Sequence, residues 1–287
     1  MKFLLTGRTG QLGRELEMVL GTLGELIACG RSDMDFSRPR ALPALIRRHR
    51  PDVIVNAAAY TAVDRAQTES KLAHLVNAEA VAVLAEEARR SRALLIHYST
   101  DYVFDGAATR PYRESDPAAP LGVYGLSKLA GEAEIVASGA RHLILRTSWV
   151  YSAHGSNFVL TMLRLARERP QLRVVDDQSG APTWSRDLAA ATLAALRGPA
   201  PLEGLYHVSS AGQTTWWGFA SRILQLAGLH TPVAPIGTDQ YPTAARRPAY
   251  SVLDSQRYRQ STGFAIGPWD LRLEAFMQDA GLAVAGA

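Results

Sequence analysis

Tyr124 and Lys128 stand four residues apart in Val-Tyr-Gly-Leu-Ser-Lys, residues 123–128. On a helix, positions i and i+4 share one face. An ammonium beside a phenol favours the phenolate and lowers the phenol's pKa. A tyrosine tuned in this way can give or take a proton near neutral pH. The same spacing is common by chance, so its neighbours in the chain decide its weight. Tyr98-Ser99-Thr100-Asp101-Tyr102-Val103-Phe104 ends an apolar run. Thr100 brings a hydroxyl donor to the place expected for Tyr124. Asp101 can bond a sugar hydroxyl, tune local proton chemistry or cap a turn.

Two further motifs suit a nucleotide. Gly7-Arg8-Thr9-Gly10-Gln11-Leu12-Gly13 follows a first apolar run and opens an amphipathic one. Its glycines allow a tight turn, close approach of backbone to a pyrophosphate, and close packing of helix on strand. The helix start then offers free N–H groups and a positive dipole end. Asn56-Ala57-Ala58-Ala59-Tyr60-Thr61 closes a third apolar run, and its small residues let a flat nucleotide lie against a sheet edge.

These motifs need a scaffold that gathers strand ends. Apolar patterning predicts strands at Lys2–Thr6, Glu25–Cys29, Asp52–Asn56, Leu94–Tyr98 and His142–Thr147. Helices are predicted at Gln11–Leu23, over 38–49 with Ser37 as cap and Pro39 in the first turn, over 70–92 and over 124–137. Strands alternating with helices imply an α/β fold, a Rossmann-type doubly wound parallel sheet. Ligands gather at the carboxyl ends of such strands. After Trp149 the regularity weakens. Helices are expected at Asn157–Arg169, Ser185–Arg197 and Thr215–Ala227, strands at 172–175 and Leu205–Val208, and a loop at 198–201. Residues 1–150 therefore read as the dinucleotide-binding core, with 170–210 returning to it. Residues 151–169 and 211–287 read as a small C-terminal substrate-binding lobe.

Composition narrows the class. The chain has 287 residues, 47% of them apolar, enough for a sizeable core. No stretch reaches the roughly eighteen apolar residues of a membrane span, and the N-terminal apolar run is too short for a signal peptide. A single cysteine, Cys29, excludes an internal disulfide framework and any multi-cysteine metal site. The expectation is a cytoplasmic protein without a membrane partner. A net charge of +4 suits a small anionic ligand, whereas nucleic acid would need a clustered basic face. The basic runs 47–50 and 89–92 close predicted helices and complement their dipoles, so no nucleic-acid partner is expected. The seven histidines show no metal spacing.

With these residues in place, the chain resembles the extended short-chain dehydrogenase/reductases, and within them the dTDP-4-dehydrorhamnose reductase family. The matching segments are GRTGQLGREL, DFS, PDVIVNAAAYTAVD, HYSTDYVFDG, APLGVYGLSKLAGE, LRTSWVY, NFVLTMLRLA, DDQSGAPT and YPTAARRP, spanning Gly7 to Pro248. The resemblance implies hydride delivery from a reduced nicotinamide to the C4 ketone of a dTDP-sugar. It implies that Tyr124 protonates the alkoxide, that Lys128 holds the cofactor ribose and lowers the tyrosine pKa, that Thr100 bonds the reacting oxygen and that Asp101 assists. Gly7, Gly10, Gln11, Leu12 and Gly13 fall on the cofactor phosphates, Asp35 and Phe36 on the adenine side, Ala59, Tyr60 and Thr61 on the inner cofactor, and Tyr98 on a cofactor-side position. Trp149, Asn157 and Arg247 fall on substrate contacts, Arg247 facing the diphosphate with its fork of donors. Trp149 and Phe36 are equally at home in a core.

Two features depart from simple expectation. The second strand ends Cys29-Gly30-Arg31 rather than on an acidic residue. Such an arginine accepts a 2′-phosphate, which points to NADPH, with NADH tolerated. Relatives are reported to hold Mg²⁺ through glutamates at a dimer contact, so Mg²⁺ and a homodimer both enter the reading. Glu15 matches one such position, but 185–187 and 271–274 supply no obvious carboxylate set, and no tight metal site is expected. Another nucleotide-sugar ketoreductase or epimerase, or a non-catalytic regulatory subunit like the β subunit of methionine adenosyltransferase, fits the same scaffold. The trio Thr100, Tyr124 and Lys128 favours an enzyme.

Overall fold

The computed structural model describes residues 1–198 and 200–284. Pro199, within the expected 198–201 loop, and residues 285–287, at the end of the expected lobe, lie outside the described residues. The first half runs β1 (Lys2–Thr6), α1 (Gln11–Leu20), β2 (Glu25–Cys29), α2 (Leu42–His49), β3 (Val53–Asn56), α3 (Val63–Ala66), α4 (Ser70–His74), α5 (Ala80–Ser91), β4 (Leu94–Thr100), α6 (Val123–Ser138) and β5 (His142–Thr147). The second half runs β6 (Val150–Tyr151), α7 (Phe158–Glu168), β7 (Leu172–Val175), β8 (Ser179–Gly180), β9 (Thr183–Trp184), α8 (Ser185–Leu196), β10 (Gly204–His207), β11 (Thr214–Thr215), α9 (Trp216–Leu226), β12 (Val233–Ile236), α10 (Gln256–Thr262) and α11 (Trp269–Asp279).

Six strands form one parallel sheet in the order β2-β1-β3-β4-β5-β10. From β1 the chain moves outward to β2 and then returns to the other side for β3. The carboxyl ends of β1 and β3 therefore flank the topological switch point, where such sheets open a crevice. Period-two alternation assigns neighbouring strand residues to opposite faces. Leu5, Val55 and Ile96 pack with Leu16 of α1 and Leu188 of α8. Leu4, Ile54 and Leu95 pack with Ile46 of α2 and Leu84 of α5. Both faces are covered, so the strands read as continuous apolar runs.

The expected long helix over 70–92 is broken by a π-helical stretch, Leu75–Glu79. π-Helical turns are rare and recur at functional sites. Ser37 does not cap α2; its hydroxyl and N–H both donate to Asp35, and α2 is entered through a 3₁₀ turn, Pro39–Ala41. β4 runs on to Thr100, which carries Ser99 and Thr100 on the strand itself.

A second core lies beyond the sheet, built from Tyr151, Met162, Leu163, Trp184, Phe219 and Phe276 with their neighbours. β7, expected among the segments returning to the main sheet, pairs instead with β12. The return begins later, at α8 and β10. Tyr258 and Ile266, expected in the lobe, pack into the main core.

Candidate active site

The glycine turn forms a cradle that leaves no room for side chains. Gly7 has φ +77°, and a Cβ there would lie 2.6 Å from Ala58 N at the end of β3. A Cβ on Gly13 would collide with the Gly7 carbonyl. Gly10 precedes α1 without a capping side chain, so the first N–H groups of the helix face outward. Leu12 packs on the core and holds the helix down. The Gln11 side-chain oxygen is buried with no partner. The cradle opens into a cleft of about 420 Å³ lined by Gly7, Gly10, Arg31, Asp35, Phe36 and Ala57–Tyr60, among others.

The cleft's far rim differs in detail from expectation. Phe36 is buried in the core beneath the cleft as well as lining it. The Asp35 carboxylate is engaged by Ser37 at 2.9 and 2.8 Å, and these bonds hold its pKa below the usual carboxylate range. Arg31 is exposed. Arg8 and Arg14 line the same recess around Gly30. Neither is singled out by sequence, because the recess forms only when the glycine turn meets the end of β2.

Ala59, Tyr60 and Thr61 continue β3 along the cleft, with Thr61 exposed. Asn77, in the π-helical stretch, pins this segment: Tyr60 N–H donates to its carbonyl at 2.8 Å, and its amide donates to the Tyr60 carbonyl at 3.0 Å. The same amide donates to Ser127, whose hydroxyl donates to the Tyr124 carbonyl at 2.7 Å. One buried asparagine thus ties the β3 loop to α6.

Tyr124 and Lys128 sit in the first turns of α6, above the end of β4. Lys128 is 2% exposed and turns toward the strand, donating to the Tyr98 carbonyl at 2.7 Å and contacting His97 Nε2 at 3.0 Å. Burial lowers its pKa to about 8, against an opposing pull from Glu132. The expected depression of the tyrosine is not found. Burial pushes Tyr124 up to about 12, hydrogen bonding to Thr100 pulls it down, and the charge of Asp101 pushes it further up. The Lys128 nitrogen is engaged by β4, so desolvation wins over any attraction across the helix face.

Thr100 and Asp101 gather beside the phenol. Thr100 donates to Asp101 Oδ1 at 3.0 Å and accepts from Tyr102 N–H at 3.1 Å. Burial lifts Asp101 to about 6, while its hydrogen bond from Thr100 works against it. Its second oxygen is buried without a partner. Tyr102 meets Tyr124 edge to face at 5.7 Å between centroids.

Two expected contacts, Tyr98 and Asn157, lie elsewhere. The Tyr98 phenol points to the opposite face of the sheet, where it meets Thr192 of α8 at 2.6 Å; only its carbonyl serves the site, through Lys128. The alternation of β4 that turns His97 toward α6 turns Tyr98 away. Asn157 caps α7: its oxygen accepts from Leu160 N–H at 3.2 Å and its amide donates to the Ser152 carbonyl at 2.7 Å. Both ends of that side chain are committed. Glu15 is buried and paired with Arg186 at 3.3 Å, and no cluster of three metal-ligating side chains occurs among the described residues.

Trp149 follows the end of β5, and Arg247 lies in the segment between β12 and α10. Trp149 takes a left-handed backbone at φ +47°, lies against Gly180, and stacks on Trp216 at 3.5 Å with 4° between planes. Arg247 donates to Asp64 at 2.7 Å and to the Ala245 carbonyl at 3.2 Å, and its charge reaches Tyr102.

Known proteins converge on this arrangement. The family described as RmlD substrate binding domain matches residues 1–281. A dTDP-4-dehydrorhamnose reductase of Burkholderia thailandensis is 45% identical over 284 residues, covering 94% of this chain and 95% of its own. The crystal structure of a dTDP-4-dehydrorhamnose reductase from Clostridium acetobutylicum has a TM-score of 0.94 at 36% identity, covering 98% of this chain and all of that one. The dTDP-4-dehydrorhamnose reductase of Bacillus anthracis, solved in complex with NADP, has a TM-score of 0.93 at 34% identity, covering 97% of this chain and 99% of that one.

Proposed function

This chain belongs to the RmlD substrate-binding-domain family, and we propose that it is an NAD(P)H-dependent oxidoreductase. It reduces the C4 ketone of dTDP-4-dehydro-β-L-rhamnose to give dTDP-L-rhamnose, the last step in making that nucleotide sugar. The observation that carries this reading is a buried phenol, Tyr124, grouped with Thr100 and Asp101 at the carboxyl end of β4, on the same edge of the parallel sheet as a glycine cradle that a single Cβ would fill. The cradle fits a dinucleotide: it offers backbone where a diphosphate must approach.

When bound, the reduced nicotinamide supplies the hydride for C4. Tyr124 holds its proton through neutral pH, because burial keeps the phenol at about 12. An alkoxide is a far stronger base than this phenolate, so the proton passes downhill to the developing oxygen. Thr100 orients the phenol, and Asp101 orients Thr100 by accepting its hydroxyl proton. Lys128 braces the start of α6 against β4. Arg247 presents a guanidinium to the diphosphate, and the flat Trp149–Trp216 pair packs near the sugar. Arg31, with Arg8 and Arg14, accepts a ribose 2′-phosphate and favours NADPH while tolerating NADH. The second core around Phe219 and Phe276 forms the substrate-side lobe.

Replacing Tyr124 with phenylalanine removes one oxygen and little packing. Turnover should fall on the order of a hundredfold or more while NADPH binding, followed by nicotinamide fluorescence, stays nearly unchanged. Undiminished turnover would eliminate Tyr124 as the acid.

A further inference from the structure

A row of buried polar groups runs under the site from β1 to α6, and its hydrogen bonds have a direction. Thr6, Asn56, His97 and Lys128 are each 2% exposed or less. The Asn56 oxygen accepts from the Ala58 N–H at 3.2 Å and from the Thr6 hydroxyl at 2.8 Å. A backbone N–H cannot accept, so it fixes which end of the Asn56 amide is oxygen. The amide nitrogen then faces His97 Nδ1 at 3.0 Å as a donor. His97 is buried, and desolvation holds its pKa well below the usual imidazole range, so it is neutral. A neutral imidazole carries one N–H. With Nδ1 accepting, that proton lies on Nε2, which faces Lys128 Nζ at 3.0 Å. An uncharged amine can accept this bond and still donate to the Tyr98 carbonyl at 2.7 Å. An ammonium has only donors, and would set N–H against N–H.

We propose that His97 is a positioning residue that governs the protonation of Lys128, because the row Thr6–Asn56–His97–Lys128 has a place for an amine and opposes an ammonium. Its arms are set by the Ala58 N–H at one end and the Tyr98 carbonyl at the other. The other titratable groups around Lys128 are Tyr124 and Glu132 on its own helix, and Glu132 is already paired with Arg146 of β5 at 2.9 and 2.6 Å. The lysine is thereby the readily exchanging proton site beneath a phenol that keeps its own proton. The consequence for turnover rests on the function proposed above; the tautomer does not.

The test is the tautomeric state of the histidines in ¹⁵N-histidine-labelled protein, read by long-range ¹H–¹⁵N correlation on the alkaline side of neutrality. His207 supplies an internal contrast. It too is buried, but its Nδ1 faces the Tyr112 carbonyl at 3.0 Å, so its proton lies on Nδ1. Of the two histidines that resist titration, one should be the Nε2–H form and the other the Nδ1–H form. Two Nδ1–H forms would overturn the proposal without bearing on the reductase reading. Asn56→Asp keeps an acceptor for Ala58 and gives His97 Nδ1 an acceptor too. In that variant His97 should gain a proton on Nδ1, and the alkaline limb of kcat/KM should move up by about one pH unit. A limb that stays in place while the tautomer changes would break the link to Lys128. Should the variant not fold, the unmodified protein's spectrum still decides the tautomer.

Discussion

The two sides of the switch-point edge of the sheet are built from opposite materials. On the β1–β3 side the walls are backbone and small side chains: Gly7, Gly10 and Gly13 give close approach, and Ala57–Ala59 keep the strand end flat. On the β4–α6 side three of the working groups are buried, titratable side chains displaced from their ordinary pKa: Asp101 to about 6, Lys128 to about 8 and Tyr124 to about 12. The first half works by shape. Its strain and space matter, and its ionisation does not. The second half works by desolvation, which moves the pKa of an acid or a lysine toward the working pH and strengthens whatever charge appears there.

Changes on the two sides should therefore fail in different ways. The largest effect is expected in the cradle. Gly13→Ala drives a methyl into the Gly7 carbonyl, and overpacking of this kind costs about 1–3 kcal/mol. Thermal unfolding should show that loss, and NADPH affinity should fall more than about tenfold with the pH profile unmoved.

Asp101→Asn should do the reverse. Burial keeps the folded-state pKa of Asp101 above its unfolded value, so its ionisation removes stability as pH rises through about 6. Asparagine cannot ionise, and at neutral pH the variant should unfold at a higher temperature. Its kcat/KM should fall about tenfold. In the unmodified protein activity should decline below about 6, as Asp101 takes a proton and no longer draws the hydroxyl of Thr100. The variant should lack that acid limb.

The smallest effect belongs to Tyr98. Tyr98→Phe loses its bond to Thr192 and should cost about 1 kcal/mol of stability, with NADPH affinity unchanged. A clear loss of affinity would return the phenol to the cofactor side.

The same division explains what could be read from the chain. The glycine turn carries its meaning in residue type and spacing, because only glycine permits the backbone contacts, and the strands flanking it have apolar centres. The strand-to-helix alternation followed from those runs, as did the grouping of Thr100 with Tyr124. The direction of the phenol's pKa shift did not follow. The i, i+4 spacing puts Lys128 on the right face of α6, but His97 and the Tyr98 carbonyl, fixed by the pairing of β4, decide where its nitrogen points. Asn157 and Tyr98 were misplaced for a similar reason: capping and strand alternation took their polar atoms before any ligand could. Asn77 was missed because its role depends on contacts across long stretches of sequence.

The most direct test of the account is an assay with enzymatically prepared dTDP-4-dehydro-β-L-rhamnose, following nicotinamide absorbance with NADPH and with NADH. The account predicts one cofactor oxidised per dTDP-L-rhamnose formed, with the higher kcat/KM for NADPH. No oxidation of either cofactor in the presence of that sugar would contradict it, and a tenfold advantage for NADH would overturn the part assigned to Arg31.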